Sequence, residues 1–400
     1  MTVKEVGVII SSIACLIIFM WLNYSNILLL LCINVLIFLW LFYREYNRKF
    51  IIILLIQWLM YVILLVIHQY FYALPGSGND DLRFEELAQR FYINYLYSVN
   101  LEIFQNSAFY SQMISLFYLF GTPHILIPGL LNITVHNLTV MLLYHICVHL
   151  FKNTNVANIS TIIYILYPLH ITSTIITLRE IYITFFILLF IYALLLYHRR
   201  NNKWHLTICV IAIGLGSLFH IGLLGLLLIL AVYFMFLSAH SAIVRVFLVL
   251  AIILGFIVLI TYNEDSKLTS TLKNEQHLEP TTFKARADYL HINEEKNIQT
   301  KTKQIIYFLV KPLPWEIRNF SDIIGVVNIA FILLGTYLAF KAYMYERNKD
   351  ILIVLLAIYI VFIIFSLGTY NYGTALRHRD KVTMLFTMFI SYYAFILRKR

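Results

Sequence analysis

The residues that could do chemistry are few, and they fall in short stretches of an otherwise apolar chain. Leu74-Pro-Gly-Ser-Gly-Asn-Asp-Asp-Leu-Arg-Phe-Glu-Glu carries Asp80 and Asp81, with Glu85 on the next turn. Carboxylates held near a membrane interface can act as a general base toward a sugar hydroxyl. Arg179 and Glu180 interrupt the apolar run from Ile159 to Tyr197, where a charge is costly unless paired or functional. His220 ends Gly214-Leu-Gly216-Ser-Leu-Phe-His220. The densest positive charge lies in Asn371-Tyr-Gly373-Thr-Ala-Leu-Arg377-His378-Arg379-Asp-Lys381. Two arginines two apart, after a Gly-Thr turn, could clamp diphosphate oxygens, which guanidinium groups bind bidentately.

Each of these has a plainer structural explanation. Phe84, Leu87, Ala88 and Phe91 recur at helical spacing and predict an amphipathic helix on the membrane surface. Ser77 with Asp80 three residues later resembles a capping box, and acidic residues are favoured in a first helical turn. Glu86 can pair with Arg90 at i,i+4. Arg179 can pair locally with Glu180 or snorkel. A lone histidine such as His220 is more often a hydrogen-bonded structural group. His124, His136, His145, His149 and His170 show no metal-ligand spacing. The cysteines Cys15, Cys32, Cys147 and Cys209 lie in apolar stretches without CxxC spacing. No metal and no other cofactor is expected.

The elements that must position these residues are membrane spans. Of 400 residues, 61% are hydrophobic and 12% charged, against roughly a quarter charged in a soluble domain; a water-soluble enzyme is excluded. Apolar runs at 6–22, 27–43, 50–73, 124–150, 157–177, 181–198, 205–220, 222–240, 244–262, 322–341, 351–367 and 381–398 predict an all-α, polytopic bundle. We expect about 12 transmembrane helices, within 11–13, forming one transmembrane domain over 1–400. Arg44, Arg48 and Lys49, then Arg199, Arg200 and Lys203, then Lys341, Arg347 and Lys349, and finally Arg398, Lys399 and Arg400 all fall on one side with Lys152 and the N-terminus. The positive-inside rule makes that side cytoplasmic, so both termini are expected there. The net charge of +10 is thus topological, and no nucleic-acid partner is implied. Two long polar segments, 74–123 and 263–321, are left on the outer face, the first with an acidic motif and each with an interfacial helix. Long loops of this kind are usually functional. The second ends in Lys311-Pro-Leu-Pro314-Trp315-Glu-Ile-Arg318, whose tryptophan suits a membrane interface.

A polar acidic motif after the third span, an outer Pro…Arg turn, a hairpin carrying Phe-His and a late Gly-Thr-Ala-x-Arg-His-Arg loop together resemble bacterial polysaccharide polymerases of the Wzy and EpsG type. The first outer segment departs from that pattern, with Asn79-Asp80-Asp81 and Phe84 where an aspartate–tyrosine motif is common. The resemblance implies a glycosyltransferase of the cytoplasmic (inner) membrane that polymerises polyprenyl-diphosphate-linked oligosaccharide, as both donor and acceptor, into polysaccharide at the outer leaflet. It also implies association with membrane lipid, a flippase and a chain-length regulator. On this reading Arg179, Arg377, His378 and Arg379 hold the diphosphate. Asp80, Asp81 or Glu180 orients or deprotonates the acceptor, and His220 assists. Trp315, Arg318 and Arg90 contact glycan. Two alternatives remain: a GT-C type transferase adding one sugar from a polyprenyl-phosphate donor, whose acidic motif Asp80-Asp81 could supply, and a flippase or transporter for the lipid-linked glycan.

Overall fold

A computed structural model describes residues 24–99, 101, 108–238, 241, 243–246, 249–250, 252, 298–318, 320–369 and 371–396. Every regular element among them is helical. In chain order, α1 (Ser25–Tyr43), α2 (Arg48–Tyr70), α3 (Asp80–Tyr97), α4 (Phe109–Tyr118) and α5 (Leu126–Phe151) lead to the short α6 (Thr154–Ile165) and α7 (Pro168–Ile175). Then come α8 (Glu180–Arg200), α9 (Lys203–Phe219), α10 (Leu226–Val232), α11 (Ile298–Val310) and α12 (Phe320–Glu346). The chain closes with α13 (Lys349–Ser366), α14 (Tyr372–Thr383) and α15 (Phe386–Phe395).

Six of these helices are long and apolar enough to cross a membrane, or seven if α6 and α7, bent by 63° at Tyr167-Pro168, make one span. The bend follows from Pro168, which lacks an N–H and is well placed at the start of a new helix. Three further apolar helices are shorter, over 203–219, 221–237 and 386–395. The expected run at 6–22, the run at 244–262 from residue 253 on, the polar stretch to 297 and the C-terminal Arg398-Lys399-Arg400 lie outside the described residues. The count of about 12 is therefore not reached among the described residues, although the polytopic helical architecture is observed.

One device recurs at the tight loops where the basic residues collect. Glu45, Lys152, Asn201 and Arg347 each adopt a left-handed conformation, with φ of 53°, 53°, 48° and 51°. Within two residues an asparagine follows and caps the next helix. Asn47 accepts from Lys49 N, Asn153 from Asn155 N, Asn202 from Trp204 N and Asn348 from Asp350 N. A left-handed residue ends one helix and the side-chain amide satisfies orphan N–H groups of the next.

The chain forms two compact units. The first comprises residues 1–141 and 161–185, the second residues 142–160 and 186–400. In the first, Asn34 joins α1 to α5, donating to Thr134 Oγ1 at 2.8 Å and accepting from Asn137 at 2.7 Å. Buried amides of this kind replace the missing hydrophobic drive between helices in lipid. In the second, α12 and α15 touch at Gly335, where a Cβ would lie 2.4 Å from the Phe386 Cβ; only glycine permits that approach.

Candidate active site

The acidic segment builds a site in the first unit. Gly76 and Gly78, both at φ 100°, turn the chain into α3. The turn is held by Asp81 rather than Asp80. The Ser77 hydroxyl donates to Asp81 Oδ2 at 2.5 Å, and the amides of Gly78 and Asn79 donate to Oδ1 at 3.0 and 2.8 Å. The capping expected between Ser77 and Asp80 is shifted by one residue, because Asp81 faces back over the turn and Asp80 is the first helical residue. Burial pushes the Asp81 carboxyl up, but the Ser77 hydroxyl and the amides outweigh it and hold the group below the ordinary carboxylate range.

One turn on, Glu85 behaves in the opposite way. It shares the α3 face with Asp81, its i,i+4 neighbour. Burial raises its pKa, a hydrogen bond from the Thr177 hydroxyl lowers it, and the negative charge of Asp81 raises it again, so the net shift is upward. Neighbouring carboxyls pushed apart in this way are a signature of acid–base function.

Thr177 belongs to the turn between α7 and α8, and that turn is pinned from below. Asn132 of α5 donates to the carbonyls of Ile176 and Leu178, both at 3.1 Å. The Tyr110 hydroxyl donates to Asn132 Oδ1 at 3.0 Å, and burial raises its pKa well above the usual phenol value, keeping it a neutral donor. The ring of Tyr110 meets Phe84 at 5.1 Å and Tyr182 at 5.4 Å, and Ser111 donates to the Phe84 carbonyl at 2.8 Å. The same turn presents Arg179, whose guanidinium carbon stands 5.8 Å from the Phe84 ring centroid. Glu180, half-buried, opens α8. The first unit therefore gathers Asp81, Glu85, Thr177, Arg179 and Glu180 around α3 and the α7–α8 turn. Asp80 lies half-exposed beside them. Arg90 is exposed and pairs with Glu86 at 2.7 Å.

The remaining expected site residues belong to the second unit. His220 ends α9, and its Nδ1 accepts from the Gly222 amide at 3.1 Å. The segment expected as a flexible Gly-Thr loop is helix α14, capped by Asn371, which accepts from Thr374 N at 2.9 Å. Residues two apart on a helix do not face one another, so Arg377 and Arg379 lie on different faces. Arg379 is fully buried, and its Nη1 donates to the carbonyls of Phe308, Leu309 and Lys311 at 3.1, 3.4 and 2.9 Å, closing the C-terminal end of α11. His378 stacks on Phe365 at 4.8 Å. Trp315 is 79% exposed beside a shallow cavity of about 310 Å³ lined by Trp315, Glu316, Ile317, Arg318 and Tyr372. Arg318 sits 4.9 Å over the Tyr372 ring and 3.3 Å from Asp322. No group of three metal-ligating side chains stands together among the described residues.

Thr177, Tyr110 and Asn132 carry the first-unit site without having been singled out for it in the sequence, whereas Glu85 stands among the carboxylates the sequence offers as a base. Glu85 had a usable signal, its i,i+4 spacing from Asp81. The other three depend on long-range packing that leaves no local pattern.

With this geometry in hand, likenesses to known proteins can be placed. Residues 92–272, a little under half of the chain, match the family of dolichyl-phosphate-mannose-protein mannosyltransferases. No curated protein matches the sequence. The fold is similar to that of ArnT from Cupriavidus metallidurans bound to undecaprenyl phosphate, with 12% identity and a TM-score of 0.52 over 85% of this chain and 60% of that one. It is also similar to an apo oligosaccharyltransferase from Archaeoglobus fulgidus, with 14% identity and a TM-score of 0.53 over 88% and 51%. A third likeness is to the archaeal oligosaccharyltransferase AglB from Archaeoglobus fulgidus in complex with an inhibitory peptide and a dolichol-phosphate, at 10% identity and 0.52 over 86% and 51%. The chain shares their polytopic helical fold and spans about half to three-fifths of their length. The matched family is one of mannosyltransferases and two of these structures are oligosaccharyltransferases, rather than polysaccharide polymerases of the Wzy type.

Proposed function

We propose that this protein is a GT-C type glycosyltransferase that moves a sugar from a polyprenyl-phosphate carrier to an acceptor. The observation that carries this reading is the Asp81–Glu85 pair, with its opposed pKa shifts, at a turn that also presents Arg179. The shared fold and the partial family match support a carrier-linked donor and favour single-sugar transfer over the polymerisation expected from sequence resemblance. Positive charge gathered in one set of loops supports a site on the outer face of a bacterial cytoplasmic membrane.

On this reading an acceptor hydroxyl attacks the anomeric carbon and the bond to the carrier phosphate breaks. The acceptor proton passes to a carboxylate, and polyprenyl phosphate leaves. Glu85 suits the base, since a raised carboxyl pKa strengthens proton uptake near neutral pH. Asp81 stays ionised and holds the loop. Arg179 supplies positive charge for the leaving phosphate. Purified protein in lipid nanodiscs, given undecaprenyl-phosphate-linked sugars and a mixed lipid-linked acceptor pool, should release undecaprenyl phosphate and add one sugar. A ladder of repeat units would restore the polymerase reading, and no release from any donor would defeat both.

A further inference from the structure

The chain between α2 and α3 is gripped at two points, and one grip belongs to a residue that the chemistry above does not use. Leu74-Pro75-Gly76-Ser77 forms a tight turn, closed by the Ser77 amide donating to the Leu74 carbonyl at 3.2 Å. Gly76 stands at φ 100°, as the third residue of a type II turn requires. Asp81 holds the far end through the Ser77 hydroxyl and the next two amides. The near end is held by His68, in the last turn of α2, whose Nδ1 accepts from the Leu74 amide at 2.9 Å. Between the two grips, Gly76 lies against the residue before Thr177, since a Cβ on it would stand 3.8 Å from Ile176 Cδ1.

His68 is 9% exposed, and its hydrogen bond fixes its protonation state. A backbone amide only donates, so Nδ1 is a bare acceptor and the neutral ring carries its proton on Nε2. A second proton, on Nδ1, would set one N–H against another and break the grip on Leu74. Imidazole gains that proton within about pH 5 to 8. Among the described residues, Asp81 is the charged group that acts on the ring. The helices α1, α5, α6 and α7, which pack around α2, contain no carboxylate, lysine or arginine. Their histidines are His136, His145, His149 and His170, and ordinary cysteine and tyrosine side chains stay neutral in that range.

We propose that His68 is a positioning residue of the first-unit site, holding the acidic loop only while its ring is neutral. Releasing Leu74 lets the loop shift Asp81, whose charge acts on Glu85. Arg179 is left in place, because Asn132 pins its turn separately. The step to turnover rests on the glycosyltransferase reading, whereas the hold on the loop rests on the geometry.

The test is hydrogen–deuterium exchange of the full chain in nanodiscs, read on the peptide spanning Leu74 and corrected for the intrinsic pH dependence of exchange. Melting, kcat and donor KM are measured on the same preparations. His68→Leu removes the acceptor, and half-buried Leu74 can turn its amide to water, so the variant should melt close to the wild type. Its loop should lose about fivefold in protection, the weight of one neutral hydrogen bond. Its kcat should fall by a similar factor at unchanged donor KM. His68→Asn places Oδ1 where Nδ1 stood and should recover most of both losses. Its amide does not titrate, so it should also keep loop protection in mildly acidic buffer, where the wild type loses it. Failure of asparagine to recover what leucine loses would overturn the proposal. So would equal loss of protection in acid by wild type and His68→Asn, or wild-type kcat in a His68→Leu protein whose loop has lost its protection. Exchange is read without turnover, so the full exchange pattern in a protein that transfers no sugar would count against the glycosyltransferase reading and leave the hold on the loop standing.

Discussion

The Thr177 hydroxyl donates to the Glu85 carboxylate, tying the α7–α8 turn to the buried face of α3. The bond lowers the Glu85 pKa against the stronger effect of burial. Thr177→Val keeps the shape and removes the donor. The Glu85 pKa should then rise further, moving the acidic limb of the transfer-rate profile to higher pH. Glu85→Gln should cost on the order of 10²- to 10⁴-fold in rate, the range for loss of a general base, with the fold unchanged. A pH–rate profile of Thr177→Val that overlays the wild type would remove Glu85 from the base role.

Asp81 acts on Glu85 through its charge and on the loop through its hydrogen bonds. Asp81→Asn deletes a negative charge that raises the Glu85 pKa, so the acidic limb should move to lower pH, opposite to Thr177→Val. Stability should change as well. The folded-state pKa of Asp81 is depressed, so its contribution is present above the unfolded value and is lost as pH falls through the folded one. The melting temperatures of wild type and Asp81→Asn should converge in acid and separate near neutrality. Curves separated equally at every pH would show that the loop does not depend on the ionised carboxylate.

How far the sequence reveals this molecule depends on the range of the interactions involved. Six or seven of the apolar runs, the pairing of Glu86 with Arg90 and the interruption at Arg179-Glu180 are local, and each appears among the described residues where spacing places it. The asparagine caps at Asn47, Asn153, Asn202 and Asn348 are local too, each one or two residues after the left-handed residue that ends the preceding helix, yet the sequence reading did not single them out. The cap at Asp81 was missed by one residue because Ser77-x-x-Asp80 and Ser77-x-x-x-Asp81 are indistinguishable until the two glycines adopt positive φ. The Asn371 segment read as a loop because Gly373 and Thr374 are weak helix formers; Asn371 capping and burial of Arg379 and Lys381 override that preference. Neither Asn132 under the Thr177 turn nor Phe365 under His220 and His378 could be found without the packing.

Asp350 makes a buried ionic junction in the second unit. It is 2% exposed, and its Oδ2 accepts from Arg199 Nε at 2.7 Å and lies 3.2 Å from His149 Nε2. Removing one partner of a buried pair leaves the other charge uncompensated, at a cost of about 3–5 kcal/mol. Arg199 is 35% exposed, so water relieves part of that cost and about 3 kcal/mol is expected for Asp350→Asn. Thermal unfolding in detergent should show a clear loss of stability, with the rate per folded molecule unchanged. Loss of turnover at full stability would instead give this junction a functional role.

Arg379 and Arg377 separate stability from kinetics on one helix. The Arg379 guanidinium closes the end of α11 through three carbonyls and has no exposed surface. Hydrogen bonds from a charged group are worth roughly 1.5–3 kcal/mol each when lost without replacement. Arg379→Met should therefore reduce the yield of folded protein sharply, and Arg379→Lys, with one point charge in place of a fork, should recover only part of it. Arg377 is half-buried on another face of α14, and Arg377→Gln should fold normally. Melting curves and donor KM measured on the same preparations decide the matter. Normal stability in Arg379→Met, combined with a raised donor KM, would return that residue to the phosphate-binding role its sequence neighbourhood suggests.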